Sequence, residues 1–224
     1  MKYALTKKKM KIRGVTVYRI QALRDIPEWR VRKNDLGGWV ASEENLSQDG
    51  DAWVSDNALV FGNARVYGSA RVSGHAWVYG NARVFDNARV YGNARAYGNA
   101  RVFDNARVSG NAWIYGDAWV FGNAGVYIYA RVFRGAQVSG NASVYGNAQV
   151  SGNASVYGST QVHEHARVSG YARVFGDARV FGVARVSGDA RVFGVARVSG
   201  DARVSGDARV FDKHMTFDRY CYLW

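Results

Sequence analysis

From position 52 to 208 every sixth residue is Ala except Thr160, and from position 54 to 210 every sixth is Val except Ala96 and Ile114. That makes 27 six-residue repeats without an insertion. A unit such as Ala82-Arg83-Val84-Phe85-Asp86-Asn87 alternates small, polar, aliphatic and aromatic, so Ala and Val share one face of a strand while Arg83 and Phe85 point the other way. The next two residues, mostly Gly-Asn, Gly-Asp or Asp-Asn, tolerate left-handed backbone and suit a sharp corner. Each repeat predicts one strand of four residues and one corner of two.

A two-residue corner is too short for an ordinary crossover between parallel strands, which takes about a dozen residues, so the chain must coil around an axis. Three sides per coil is the closure that sorts the residues after Val into like columns. At eighteen-residue spacing one column reads Tyr67, Phe85, Phe103, Phe121, Ser139, Tyr157, Phe175, Phe193, Phe211. A second reads Phe61, Tyr79, Tyr97, Tyr115, Phe133 and then Ser151, Ser169, Ser187, Ser205, whereas a twelve-residue coil mixes the two groups. The prediction is an all-β, single-domain triangular solenoid of nine coils, roughly 43 Å long at a strand spacing of ~4.8 Å.

Residues 1–50 read as an N-terminal capping segment, 51–211 as the solenoid and 212–224 as a C-terminal cap. Met10-Lys11-Ile12, Arg13-Gly14 and Val15-Thr16-Val17-Tyr18 predict a hairpin able to cover the open edge of the first coil. Phe217, Tyr220, Tyr222, Leu223 and Trp224 have the composition to cover the last Val and Ala layer, since a bare sheet end pairs with other chains.

The pattern small-x-aliphatic at a six-residue period resembles the bacterial hexapeptide-repeat family, whose coils are left-handed parallel β-helices. The left hand is implied by the resemblance alone, because general chirality rules favour right-handed crossovers. The leader, Val17-Tyr18-Arg19-Ile20-Gln21-Ala22-Leu23, then Asp35-Leu36-Gly37-Gly38-Trp39-Val40 and Asn45-Leu46-Ser47-Gln48, is similar to the opening of acetyltransferase-like proteins of phages, prophages and enterobacteria. The resemblance implies a phage or prophage accessory protein, or an acyltransferase using acetyl-coenzyme A bound between subunits of a trimer. In that family a catalytic His sits near a loop that interrupts a coil, and this array has no such loop.

The formal net charge of +12 favours anionic partners such as an acidic protein or nucleic acid. The one cysteine, Cys221, cannot form an intrachain disulfide and suits a reducing compartment, so a cytoplasmic location is expected. No stretch approaches a bilayer-spanning length, and membrane association is not expected.

Among residues with chemistry, Val162-His163-Glu164-His165 replaces the usual aromatic-Gly-Asn corner and offers a carboxylate between two imidazoles for acid-base work. The competing reading is a solvated corner that has drifted in sequence. His75 and His165 share a corner column five coils apart, about 24 Å, too far to cooperate. Asp86 and Asp104 share another column, but two carboxylates make an incomplete cation site, and no metal is expected. The corner glycines lack the Lys-Ser/Thr ending of a phosphate loop.

The outward ladders carry more information. Arg65, Arg83, Arg101, Arg173, Arg191 and Arg209 stand beside Tyr67, Phe85, Phe103, Phe175, Phe193 and Phe211 on one side. Arg beside aromatics serves single-stranded nucleic-acid binders, and equally serves packing along a sheet surface. A neutral waist of Gln137, Ser143, Gln149, Ser155 and Gln161 separates the basic ends. On another side Leu59, Phe61, Trp77, Tyr79, Tyr97, Trp113, Tyr115 and Phe133 read as an exposed aromatic interface for a homodimer or homotrimer. The reading that follows is a non-catalytic rod presenting Arg-aromatic ladders to an acidic partner without a cofactor; an acetyl-coenzyme A dependent acyltransferase with His163 or His165 as base, and a nucleic-acid binder, are the alternatives.

Overall fold

The structure is a computed structural model and describes residues 1–217 and 222–223, with side chains through Lys213. Tyr220, Cys221 and Trp224, named above, lie outside the described residues. Short parallel rungs stack at eighteen-residue spacing into three sheets, as in Arg65↔Arg83, Arg71↔Arg89 and Arg95↔Trp113. Among the described residues the sheets hold 13, 10 and 9 strands, the largest including three leader strands. We call the sheet carrying Leu59–Val60 the first face, that carrying Arg65–Val66 the second, and that carrying Trp53–Val54 the third.

The predicted face alternation is the one observed. Every Ala and Val of the two series is buried, and they form one continuous core that runs from Tyr3 to Val210. Each buried Val contributes roughly 1.5–3 kcal/mol of transfer free energy, so a thin column suffices when it is long. Thr160, the odd member, is buried with its hydroxyl donating to the Tyr157 carbonyl at 2.7 Å.

Backbone pairing explains why six residues hold a rung. The Arg65 N–H donates to the Ala82 carbonyl (2.9 Å), the Tyr67 N–H to Val84 (3.1 Å) and the Ser69 N–H to Asp86 (2.7 Å), and the pattern repeats coil after coil. Each corner needs one residue in the left-handed region. Gly fills that position at most corners, and Asp56, Asp86, Asp104, Ile128, Arg134, Glu164 and Asp212 fill it at the others with φ between 49° and 66°. The carboxylates of Asp56, Asp86, Asp104 and Glu164 are engaged by the next coil. Asp56 accepts the Gly74 N–H (2.9 Å), Asp104 that of Gly122 (2.9 Å), Glu164 that of Gly182 (2.7 Å) and Asp86 that of Asp104 (3.4 Å).

The leader is a hairpin of β1 (Tyr3–Ile12) and β2 (Val15–Ala22), closed by Arg13 and Gly14, both at positive φ as a two-residue hairpin turn requires. Strand β3 (Leu36–Val40) pairs antiparallel with β2 and parallel with the Leu59–Val60 rung, so it converts a hairpin into a solenoid. Parallel stacking thus reaches back beyond position 51: Val40 lies beside Val60 and Leu46 beside Val66. Beyond position 211 it continues as well, because His214–Phe217 pairs with Arg197–Gly200 and Tyr222–Leu223 with Arg203–Val204, so this backbone adds rungs to the stack.

Candidate functional site

The hairpin changes the aromatic face. Leu59 and Phe61 are only 4% and 6% exposed, in a cluster with Val17 and Trp39 against which Met10, Ile12, Val15, Trp77 and Tyr79 pack. Arg13 adds a guanidinium over Trp77 at 5.3 Å and Tyr79 at 5.7 Å. The expected interface is therefore corrected at its first coils: Leu59 and Phe61 serve as the seat of the hairpin and are closed to a partner. Tyr97, Trp113, Tyr115 and Phe133 retain partial exposure.

Beyond the hairpin the first face holds a column that alternates Trp77, Arg95, Trp113, Arg131. The Arg95 guanidinium lies 5.2 Å from the rings of both Trp77 and Trp113, and that of Arg131 lies 5.0 Å from Trp113. Together with His75, Asn93, Asn111, Tyr129, Asn147 and Gln149 they line an open groove of about 750 Å³ with no acidic residue in its wall.

The groove amides are available for a ligand. At the other two corners Asn side chains bond each other from coil to coil, as in Asn63 to Asn81 to Asn99 to Asp117 (3.1, 3.0 and 2.8 Å) and Asn87 to Asn105 to Asn123 to Asn141 (3.3, 3.2 and 3.1 Å). His75 and Tyr129 interrupt the third corner, and among the described residues the side chains of Asn93, Asn111 and Asn147 make no hydrogen bond.

The positive charge is likewise unpaired. Among the described residues, and Arg203 apart, no arginine of the repeats has a carboxylate within 4.0 Å; Asp56, Asp86, Asp104 and Glu164 bond backbone N–H groups instead. On the second face the leader sets Glu43 and Glu44 into the recess of Arg65, Tyr67 and Arg83, while Asp189 and Asp207 share a recess with Arg173 and Arg191. The groove of the first face is thus lined by cations without acids, whereas the second-face ladder is partly offset by acids at both ends.

The rings after Val stack on one another. Tyr67, Phe85, Phe103 and Phe121 follow at 4.9 Å between centroids, with planes within 3° of parallel. Phe61, Tyr79, Tyr97, Tyr115 and Phe133 follow at 4.9–5.1 Å, and Tyr157, Phe175 and Phe193 at 5.0–5.1 Å. Phe193 and Phe211 are tilted by 32°. Burial raises the Tyr67 and Tyr97 hydroxyls above the ordinary phenol value.

His163 belongs to such a ladder on the third face, stacked 4.8 Å from Tyr145 and 5.1 Å from Phe181. Its Nδ1 lies 3.6 Å from Glu164, whose other oxygen holds the Gly182 N–H. His165 sits in the following corner, with its backbone N–H on the Gly182 carbonyl. Among the described residues no three His, Cys, Asp or Glu side chains gather as a metal site would require. Among the described residues no helix is long and apolar enough to cross a membrane.

The family model described as YdcK beta solenoid repeat matches residues 52–68, 60–74, 76–92, 82–98, 94–110, 100–116, 136–150, 148–164 and 196–212. The chain is a β-solenoid repeat protein. The two longer stretches between matches, 117–135 and 165–195, contain Gly125, Ile128, Val183 and other departures from the unit, yet hold the same register, as in Trp119↔Gln137 and Arg167↔Arg185. No curated protein matches the chain.

The alternation of Trp and Arg was readable at eighteen-residue spacing, whereas the unbonded state of the amides beside it was not. What the repeat could not reveal is the leader residue Trp29, which packs on the arginines of the third face.

Proposed function

We propose that the protein is a non-catalytic binding rod whose Arg-aromatic surface engages an acidic partner, with the Trp77-Arg95-Trp113-Arg131 groove as its principal site. The observation that carries this reading is the pair Arg95 and Arg131, held over tryptophan faces with no carboxylate within 4.0 Å in a groove without acidic lining. Cation-π contact leaves the in-plane N–H groups of a guanidinium directed outward, ready for carboxylates.

The ring ladders favour an acidic protein over single-stranded nucleic acid. Both faces of Tyr79, Tyr97, Phe85, Phe103 and Phe175 are covered by neighbouring rings, so base stacking has no open surface at these rungs. Acyl transfer is the weaker reading because no loop interrupts the coils and His163 lies between two rings.

The partly exposed rings of Tyr97, Tyr115 and Phe133 form the surface we assign to self-association as a dimer or trimer. The hexapeptide and phage resemblance supports a left-handed rod acting as a phage or prophage accessory protein in the cytoplasm.

The test is fluorescence anisotropy with a labelled polyglutamate peptide at low and moderate salt, alongside an oligothymidylate of equal charge. Polyglutamate should bind the more tightly, and Arg95→Gln with Arg131→Gln should weaken it roughly tenfold, about 1.4 kcal/mol. Equal binding by the double variant would remove the groove from the function, and preference for oligothymidylate would replace the acidic protein by nucleic acid.

A further inference from the structure

The third face carries a second cationic recess, roofed by the leader. Arg71, Arg89 and Arg107 occupy adjacent rungs in strict register, which sets their side chains roughly 4.8 Å apart along the sheet. Three like charges at this spacing repel, and among the described residues none of them has a carboxylate within 4.0 Å. The nearby corner acid Asp56 is engaged with the Gly74 N–H, and Glu28 beside the roof makes no ion pair among the described residues.

Trp29 turns this flat ladder into a pocket. The short helix Pro27–Trp29 is fixed by the Ile26 and Val31 bridge, by left-handed Arg30, and by Asp25, which accepts the Lys33 N–H at 2.8 Å. It lays the Trp29 ring 5.5 Å from the Arg71 guanidinium and 5.0 Å from that of Arg89. Trp29 is 7% exposed, and its Nε1 and the Arg71 Nε are buried without a hydrogen-bond partner. The recess below holds about 290 Å³ and is lined by Trp29, Arg71, Ser73, Arg89, Tyr91 and Arg107, all of them cationic, hydroxyl-bearing or aromatic.

We propose that this recess binds a phosphate group, free or as a monoester. The indole lies over the guanidinium groups of Arg71 and Arg89, while the in-plane N–H groups of three arginines and the hydroxyls of Ser73 and Tyr91 supply donors around one small volume. A tetrahedral oxyanion of multiple charge bridges neighbouring rungs and offsets the repulsion between them. The site lies on a different face from the Trp-Arg groove and does not depend on it.

The experiment is thermal denaturation and isothermal titration of the full chain with inorganic phosphate, at ionic strength held constant with chloride, and in parallel with O-phosphoserine. Wild type should show a saturable rise in melting temperature specific to phosphate. Arg89→Gln and Arg107→Gln, both solvent-facing, should each weaken binding roughly tenfold, while Arg185→Gln, exposed on the first face, leaves it unchanged. Binding of O-phosphoserine as well as phosphate assigns the site to esters; binding of inorganic phosphate alone assigns it to the free ion. Equal effects of phosphate and chloride on wild type, or full phosphate binding by both third-face variants, would overturn the proposal.

Discussion

The His163 imidazole lies face to face with the Phe181 ring, centroids 5.1 Å apart and planes 4° from parallel. A ring in that position is held by stacking, and protonation opposes its burial. Burial lowers the His163 pKa below the ordinary histidine value, with Glu164 opposing the shift and Arg179 reinforcing it. The folded state therefore binds its proton later than the unfolded state as pH falls. The stability associated with the neutral ring is complete above about pH 6.5 and declines from there down to the lowered folded value. His163→Phe restores the ladder ring and removes the titration. Thermal melts from pH 7.5 to pH 5 should show wild type losing stability relative to this variant as the pH falls; parallel curves would mean that His163 is not the group responsible.

Three-sided closure and inward Ala and Val were legible because a period of six marks the rung and columns at eighteen mark the stack, while the expected nine coils fall about one short, since the leader and the backbone beyond 211 add rungs. The leader was harder. Val40 and Leu46 already occupy the positions of Val60 and Val66, but eight residues separate Leu46 from Val54 where six is the rule, so the period hides them. Leu59 and Phe61 looked exposed because their repeats match their neighbours; a hairpin more than 30 residues earlier in the chain decides their burial. The groove was half legible. Trp77, Arg95, Trp113 and Arg131 could be placed in one column from spacing, whereas the unbonded state of Asn93 and Asn111 depends on side-chain geometry at a corner.

Asn45 tests how the leader is fastened. Its Oδ1 accepts the Ala41 and Ser42 N–H groups, both at 3.0 Å, and its Nδ2 donates to the Gly62 and Ala64 carbonyls, both at 2.9 Å. The side chain is buried, so Asn45→Ala strands four backbone groups, at about 1–3 kcal/mol for each that finds no water. We expect a loss of about 3 kcal/mol and early exchange of the β2 and β3 amides in hydrogen-exchange mass spectrometry. Protection unchanged across β2 and β3 would show that the hairpin holds without this bridge.

Ile128 tests the corner. It has φ of +66° where most coils have Gly, and it is 48% exposed, so little packing offsets the cost of a β-branched residue in the left-handed region. Gly110, one coil earlier, leaves no room for a Cβ, which would meet the Ile128 backbone nitrogen at 2.8 Å. Ile128→Gly should therefore stabilise the solenoid by about 1 kcal/mol after allowance for the greater freedom of Gly in the unfolded chain. Gly110→Ala, the reverse change in the same column, should destabilise it. Chemical denaturation of both variants decides the matter, and two changes of the same sign would refute the corner argument.

Ser139 interrupts the second-face ladder between Phe121 and Tyr157, two rungs that lie roughly 10 Å apart at the strand spacing. The rings on either side pack on their neighbours at 4.9 and 5.1 Å, so the vacancy has the thickness of one ring. Ser139→Phe should close the column from Tyr67 to Phe193, gaining two stacked pairs at about 0.5–1.5 kcal/mol each and raising the melting temperature by several degrees. Added hydrophobicity alone would also raise it, so the control is Ser151→Phe on the first face. That residue follows Phe133 and precedes Ser169, and a ring there gains one partner only. The Ser139 variant should be stabilised about twice as much. Equal gains would show that ring burial, and not completion of the stack, sets the strength of the ladders.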